Sequence, residues 1–206
     1  MSIYKDSSGT EIELSSFDLT GFRLILLDFD GTLVNTARAN AVSYCEALKE
    51  EGIQLSVEHY RERYFGWRCP EFLNDLGIDS KEDIRRIRQR KIEIYPTHFD
   101  LISLNESLWK KVLEFKARGG KTAIVSTGHP SNLYNAMEHL KITSEIDRIY
   151  TSDCVERSKP YPDCFLLAMN DFGVSRSETL IFEDSRVGLQ AAKASGAAFI
   201  QVSLPF

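Results

Sequence analysis

Four cysteines, Cys45, Cys69, Cys154 and Cys164, lie far apart in a chain of 206 residues, and no two of them form a CxxC pair. Such spacing supplies neither a disulfide framework nor a zinc-ligand set. His59, His98, His129 and His139 do not join the cysteines at metal-ligand spacing. No apolar run approaches the roughly 20 residues that a membrane-spanning helix needs, and the N-terminus does not read as a secretory leader. The thiols are therefore expected to be reduced, and the protein to be soluble and cytoplasmic with no membrane partner. Internal repeats and low-complexity segments are also missing. So is a basic stripe with interleaved aromatics, and the net charge of -5 argues against a nucleic-acid partner. The densest basic run, residues 85–91 (RRIRQRK), sits among Glu82, Asp83 and Glu93. It is expected to be the solvated face of a helix.

What is present is an ordinary globular composition, 43% hydrophobic and 27% charged. The length suits one domain with an insertion, or two small domains. Apolar runs at 23–29, 121–125, 149–150, 180–182 and 198–202 read as buried parallel strands. Helical patterns near 105–118, 131–140, 162–172 and 187–195 alternate with them, the last stopping at Gly196. Strand alternating with helix implies an α/β fold, a parallel sheet with helices on both faces. Residues 10–14 (TEIEL) alternate and suggest a short edge strand. Between 36 and 102 no strand is convincing. Helices are expected there near 37–51, 57–65, 69–76 and 80–95, with Ser56 and Ser80 as caps. The expected division is residues 1–35 and 103–206 as an α/β core, and 36–102 as an all-helical insert. An insert directly after the first core strand suits a lid over the carboxyl ends of the strands, where open α/β sheets bind ligands.

The most informative segment is 24–36, LILLDFDGTLVNT. Residues two apart in a strand face one side, so Asp28 and Asp30 can point to one place. Two acids at the end of a buried strand are costly without a cation between them. A hard divalent ion meets that need; acids that merely cap the following turn would be the plainer explanation. Three more segments share the layout. Residues 123–128 (AIVSTG) end a strand in Ser126, Thr127 and Gly128. Residues 158–163 (SKPYPD) place Lys159 before two prolines. Residues 179–188 (TLIFEDSRVG) end a strand in Glu183 and Asp184.

Acidic pair, hydroxyl, lysine, acidic pair: this order resembles the four motifs of the haloacid dehalogenase superfamily of phosphohydrolases, from about Phe22 to Phe199. The resemblance is closest to the β-phosphoglucomutase and phosphoglycolate phosphatase-like subgroup. It implies a Rossmann-like core with a helical cap inserted between the first and second motifs. It further implies a phosphatase acting on small phosphorylated metabolites, sugar phosphates among them, as a monomer or homodimer. Asp28 would be the nucleophile, forming an aspartyl-phosphate. Asp30 would protonate the leaving oxygen and then activate water. Mg²⁺ would be held by the Asp28 carboxylate, the Asp30 backbone carbonyl and Asp184, with Glu183 acting directly or through water. Ser126 would bind a phosphate oxygen with help from backbone N–H groups at Thr127 and Gly128. Thr127 takes that place if the register slips by one residue. Lys159 would neutralise phosphate charge and restrain Asp28.

Further residues have weaker claims. Thr32, Asn35 and Thr36 read equally well as turn or cap residues and as substrate contacts. Gly188 and Gly196 read as packing or helix-end glycines, and His129 as a surface histidine. In the insert, residues 64–70 (YFGWRCP) combine aromatics with a cation. Arg68 is the candidate substrate contact, whereas core packing explains Phe65 and Trp67 equally well. By the same resemblance, dehalogenases lack an acid at the position of Asp30, so its presence favours phosphoryl chemistry. The alternative is a sugar-phosphate mutase of the β-phosphoglucomutase type. Those mutases carry a histidine twelve positions after the nucleophile, where this chain has Asn40. A non-catalytic binding member of the fold is a second alternative, although none of the motif acids is lost. The chain also stops soon after its last strand, and the N-terminal segment or a second subunit is a candidate to cover the sheet edge this leaves short.

Overall fold

In the computed structural model, which describes every residue except Met1, Gly66, Arg68 and Phe206, the apolar runs become one six-stranded sheet. Its strands are β1 (Ile3–Lys5), β2 (Leu24–Leu27), β3 (Lys121–Ser126), β4 (Arg148–Thr151), β5 (Thr179–Glu183) and β6 (Ala198–Ser203). They lie in the order β1-β6-β5-β2-β3-β4, parallel throughout except where β1 runs against β6. The helices are α1 (Ala37–Glu50), α2 (Val57–His59), α3 (Cys69–Asp75), α4 (Lys81–Ile94), α5 (Glu106–Ala117), α6 (Pro130–His139), α7 (Asp163–Phe172) and α8 (Arg186–Ser195). The chain forms two compact units, Met1–Asn35 with Leu104–Phe206, and Thr36–Ser103.

In the α/β unit every residue of β2 is buried, as expected of a central strand covered on both faces. On one face Leu24, Leu26, Ala123, Val125 and Ile181 join Phe165 and Ala168 of α7 and Ala191 and Ala192 of α8 in a single core. Each fully buried leucine of this kind contributes about 1.5–3 kcal/mol. The register sets Leu27 level with Ile124 of β3 and Phe182 of β5. Asp28 therefore leaves the sheet beside the ends of both neighbours, and this brings the motifs together.

Residues 10–14 do not form the expected edge strand. The edge is taken by β1, where Tyr4 pairs with Val202. Gly9, at φ +87°, turns the chain sharply, and Asp6 Oδ1 secures the turn by accepting from the Ser8 and Thr10 amides. The returning segment keeps one bridge, Lys5 to Glu11, before winding into a short 3-10 helix at Leu14–Ser16. The N-terminal segment thus covers the edge of β6 that would otherwise be open.

The helical unit holds its own core, in which Leu48 of α1, Phe72 and Leu73 of α3 and Ile87 of α4 are wholly buried. Ser56 and Ser80 cap as expected, accepting from the amides of His59 and Asp83. After α2 the chain widens into a π-type turn at Tyr60–Tyr64, so the single helix expected over 57–65 is interrupted. The basic run lies on α4. Arg86 grips Glu51 and Arg90 grips Glu50, each with two hydrogen bonds of 2.6–2.8 Å at the surface. Among the described residues no helix is long and apolar enough to cross a membrane.

Candidate functional site

Lys159 is the centre of the arrangement. Its ammonium donates to Asp28 Oδ1 at 2.6 Å, to Glu183 Oε2 at 2.6 Å and to the Val125 carbonyl at 2.8 Å. One side chain, 4% exposed, thereby ties together the ends of β2, β3 and β5. Glu183 is wholly buried, and its second oxygen accepts from the amides of Asp184 and Ser185 and from the Ser185 hydroxyl. The same Ser185 hydroxyl caps α8 by accepting from Gly188 N at 3.1 Å. Asp184 accepts from the Thr32 hydroxyl at 2.9 Å. Asp28, Glu183 and Asp184 each turn an oxygen to a common point, the three oxygens lying within 4.8 Å of one another.

Charge does not balance here. Three carboxylates face one ammonium, largely out of water, and unpaired buried charge is expensive. Burial, with Glu183 alongside, pushes Asp28 well above the ordinary carboxylate range despite Lys159. Burial and Glu183 raise Asp184 to about 7. Burial alone would lower the Lys159 ammonium, but Asp28 and Glu183 outweigh it and hold it above its ordinary value. An all-oxygen donor set of this sign fits a hard divalent cation. Two glycines make the room. A Cβ on Gly31, itself at φ +87°, would stand 2.3 Å from Asp184 Oδ2, and one on Gly188 would stand 2.0 Å from the Glu183 carboxyl carbon. Gly188 is thus a packing glycine, and the side chain packed on it is Glu183.

The remaining motif residues form a second polar group. A Cβ on Gly128 would meet Asp30 Oδ2 and Ser126 Oγ, both at 3.2 Å, so these two groups converge on the same glycine. Ser126 is 3% exposed and accepts from Gly128 N at 3.0 Å, while Thr127 points to solvent. Helix α6 starts just beyond, and the exposed His129 ring lies 2.8 Å from Ser131 Oγ. The Asp30 carboxylate is not one of the three clustered acids.

Other candidates lie elsewhere. Asn35 donates to the Pro205 carbonyl at 2.6 Å. In the helical unit, Asn40 donates to Thr36 Oγ1 at 3.0 Å and accepts from Lys91, whose ammonium stands 4.3 Å over the Tyr95 ring. A neutral amide does not exchange a proton near neutral pH as an imidazole does, which disfavours the mutase role that a histidine would serve there. Phe65 and Trp67 are 47% and 44% exposed, so neither is core. Arg68 lies outside the described residues. Sequence reading missed the Thr32–Asp184 bond, because nothing local pairs residues 152 apart.

Residues 25–202 match the family model of the haloacid dehalogenase-like hydrolases. The fructose-1-phosphate phosphatase YqaB of Escherichia coli is 27% identical over 87% of this chain and 96% of its own length. The crystal structure of CbbY from Rhodobacter sphaeroides in complex with phosphate is 25% identical. It superposes with a TM-score of 0.74, covering 85% of this chain and 84% of its own. A family IA hydrolase of the same superfamily from Entamoeba histolytica is 26% identical with a TM-score of 0.74, over 86% and 82% of the two chains.

Proposed function

The chain belongs to the haloacid dehalogenase-like hydrolases, and from this and the site geometry we propose a Mg²⁺-dependent phosphatase of small phosphate monoesters with Asp28 as nucleophile. Its class is phosphoric monoester hydrolase, and sugar phosphates are the favoured substrates. The observation that carries the reading is the Lys159 ammonium at 2.6 Å from both Asp28 and Glu183 with Asp184 beside them, an acid cluster one cation short of balance. The name of YqaB and the phosphate in the CbbY crystal support it.

In the first step an Asp28 oxygen bonds to phosphorus while the ester bond breaks, and Asp30 gives its proton to the departing oxygen. In the second step Asp30 takes a proton from water, whose oxygen bonds to phosphorus and releases phosphate from Asp28. Ser126 and the backbone amides of Thr127 and Gly128 hold the phosphoryl oxygens near the start of α6. Lys159 restrains one oxygen of Asp28 and offsets phosphate charge. Asp28, Asp184 and the Asp30 carbonyl would hold Mg²⁺, with Glu183 contributing directly or through water. When bound, the ion supplies charge neutralisation that lets an anionic carboxylate approach an anionic ester. The helical unit, Thr36–Ser103, stands where the resemblance implies a cap. We place the protein in the cytoplasm.

The test is phosphate release from a panel of sugar phosphates, phosphoglycolate and nucleoside monophosphates, with Mg²⁺ and with EDTA. Release that needs Mg²⁺ and is lost in Asp28→Asn is expected. Release that survives in Asp28→Asn rejects the mechanism.

A further inference from the structure

Asn105 lies outside every motif that points to the site, yet it is 5% exposed and both ends of its amide are bonded. Its Nδ2 donates to the Thr32 carbonyl at 3.0 Å, and its backbone N–H donates to the Leu33 carbonyl at 2.8 Å. Both carbonyls belong to the turn that follows Asp30. That turn is closed on its other side by Gly31 N to Val34 O and Val34 N to Phe29 O, at 2.8 and 2.9 Å. Within it, the wholly buried Thr32 donates its hydroxyl to Asp184.

The carbonyl end of Asn105 faces the opposite way. Oδ1 caps α5 by accepting from Leu108 N at 3.4 Å, and it accepts from Ser107 Oγ at 3.0 Å and from the Tyr4 hydroxyl at 2.9 Å. Tyr4 is the middle residue of β1, the strand that covers the sheet edge, and is 5% exposed. A helix cap needs only an acceptor, which serine, threonine or aspartate would provide equally well. An amide carries its acceptor and its donor on separate atoms, so one atom can cap the helix while the other donates to the turn. Aspartate there would set a carboxylate against the Thr32 carbonyl. The residue type answers to the acid cluster as well as to the helix.

We propose that Asn105 is a positioning residue for the cation: held by Tyr4 of the N-terminal strand, it fixes the Thr32 turn that aims Asp184 at Asp28 and Glu183. This rests on the reading of the three acids as a cation site. Thr32 is the hydrogen-bonded partner that orients Asp184, and Asn105 acts through it. Loss of such a partner typically weakens affinity by about 10–100-fold.

The experiment is Mn²⁺ binding, read from the EPR signal of the free ion, to the full chain and to Asn105→Ser and Tyr4→Phe. Serine keeps a neutral cap and removes the amide nitrogen that reaches the Thr32 carbonyl. The dissociation constant should rise about 10–100-fold in Asn105→Ser, and less but in the same direction in Tyr4→Phe. The Mg²⁺ concentration giving half-maximal phosphate release should rise with it. An unchanged Mn²⁺ constant in Asn105→Ser alongside a lowered melting temperature overturns the proposal, because the residue would then serve only the helix. An unchanged constant in Tyr4→Phe overturns the part given to the strand, and carries the test if Asn105→Ser does not fold. Absence of Mn²⁺ binding to the unsubstituted chain rejects the cation site itself, and this proposal with it.

Discussion

The two units handle charge in opposite ways. In the helical unit, Arg86 lies between Glu51 and Asp83, and Arg90 between Glu50 and Glu93, all at the surface. At the strand ends of the α/β unit, Asp28, Glu183 and Asp184 share Lys159 in the interior, and negative charge is left over. The surface pairs are well formed but screened, and such pairs stabilise little. The buried group is costly as it stands and is relieved by a bound cation. It is thus the burial of unbalanced charge that marks a site. The 85–91 run is the densest basic run in the sequence, yet its Arg86 and Arg90 pair with carboxylates at the surface.

The contrast can be broken most severely at Asp30. Asp30→Asn should slow phosphate release by about 10²–10⁴, the usual worth of general acid–base catalysis. Mn²⁺ binding should persist, since the Asp30 carboxylate stands apart from the clustered acids. Loss of Mn²⁺ binding in that variant would show that the two polar groups are not separable.

A smaller effect concerns pH. Without a divalent ion, Asp184 titrates near 7 in the folded chain, against 3.8 as its ordinary value. Between those values the folded chain holds a proton that the unfolded chain has released, so stability falls as pH rises through that window. The raised Asp28 acts in the same direction. Melting temperature in EDTA should therefore drop from pH 5 to pH 7.5, and Mg²⁺ should reduce the drop by binding the ionised acids. A melting temperature in EDTA that climbs over this interval would contradict the charge imbalance. The smallest effect belongs to the other unit. Arg90→Ala should leave phosphate release unchanged and melting nearly so, and a large loss in either would erase the contrast between surface and buried charge.

Much of this was legible in the sequence because the relevant patterns are local. Buried parallel strands read as apolar runs, and the residues at their ends are where ligands bind in open α/β sheets. Alternation along β3 separates Ser126, turned inward, from Thr127, turned to solvent, once the register is known. What escaped depends on contacts between distant residues. Gly188 looks like any helix glycine until Glu183 is seen against it. Asn105 looks like any helix cap until Thr32 and Tyr4 are seen on its two ends. The edge strand was expected at 10–14, where alternation is clear, but the turn at Gly9 gave the edge to Ile3–Lys5 instead. The exposed Phe65 and Trp67 show the same limit, since apolar character alone does not say which residues a core will take.

The central claim is that Asp28 accepts the phosphoryl group beside a bound divalent ion. Beryllium fluoride mimics a phosphoryl group on a carboxylate, so the most direct measurement is melting temperature in Mg²⁺ with and without it, for the unsubstituted chain and Asp28→Asn. The account predicts a rise with beryllium fluoride in the unsubstituted chain that needs Mg²⁺ and is absent from Asp28→Asn. No rise in the unsubstituted chain, or an equal rise in both, would contradict it.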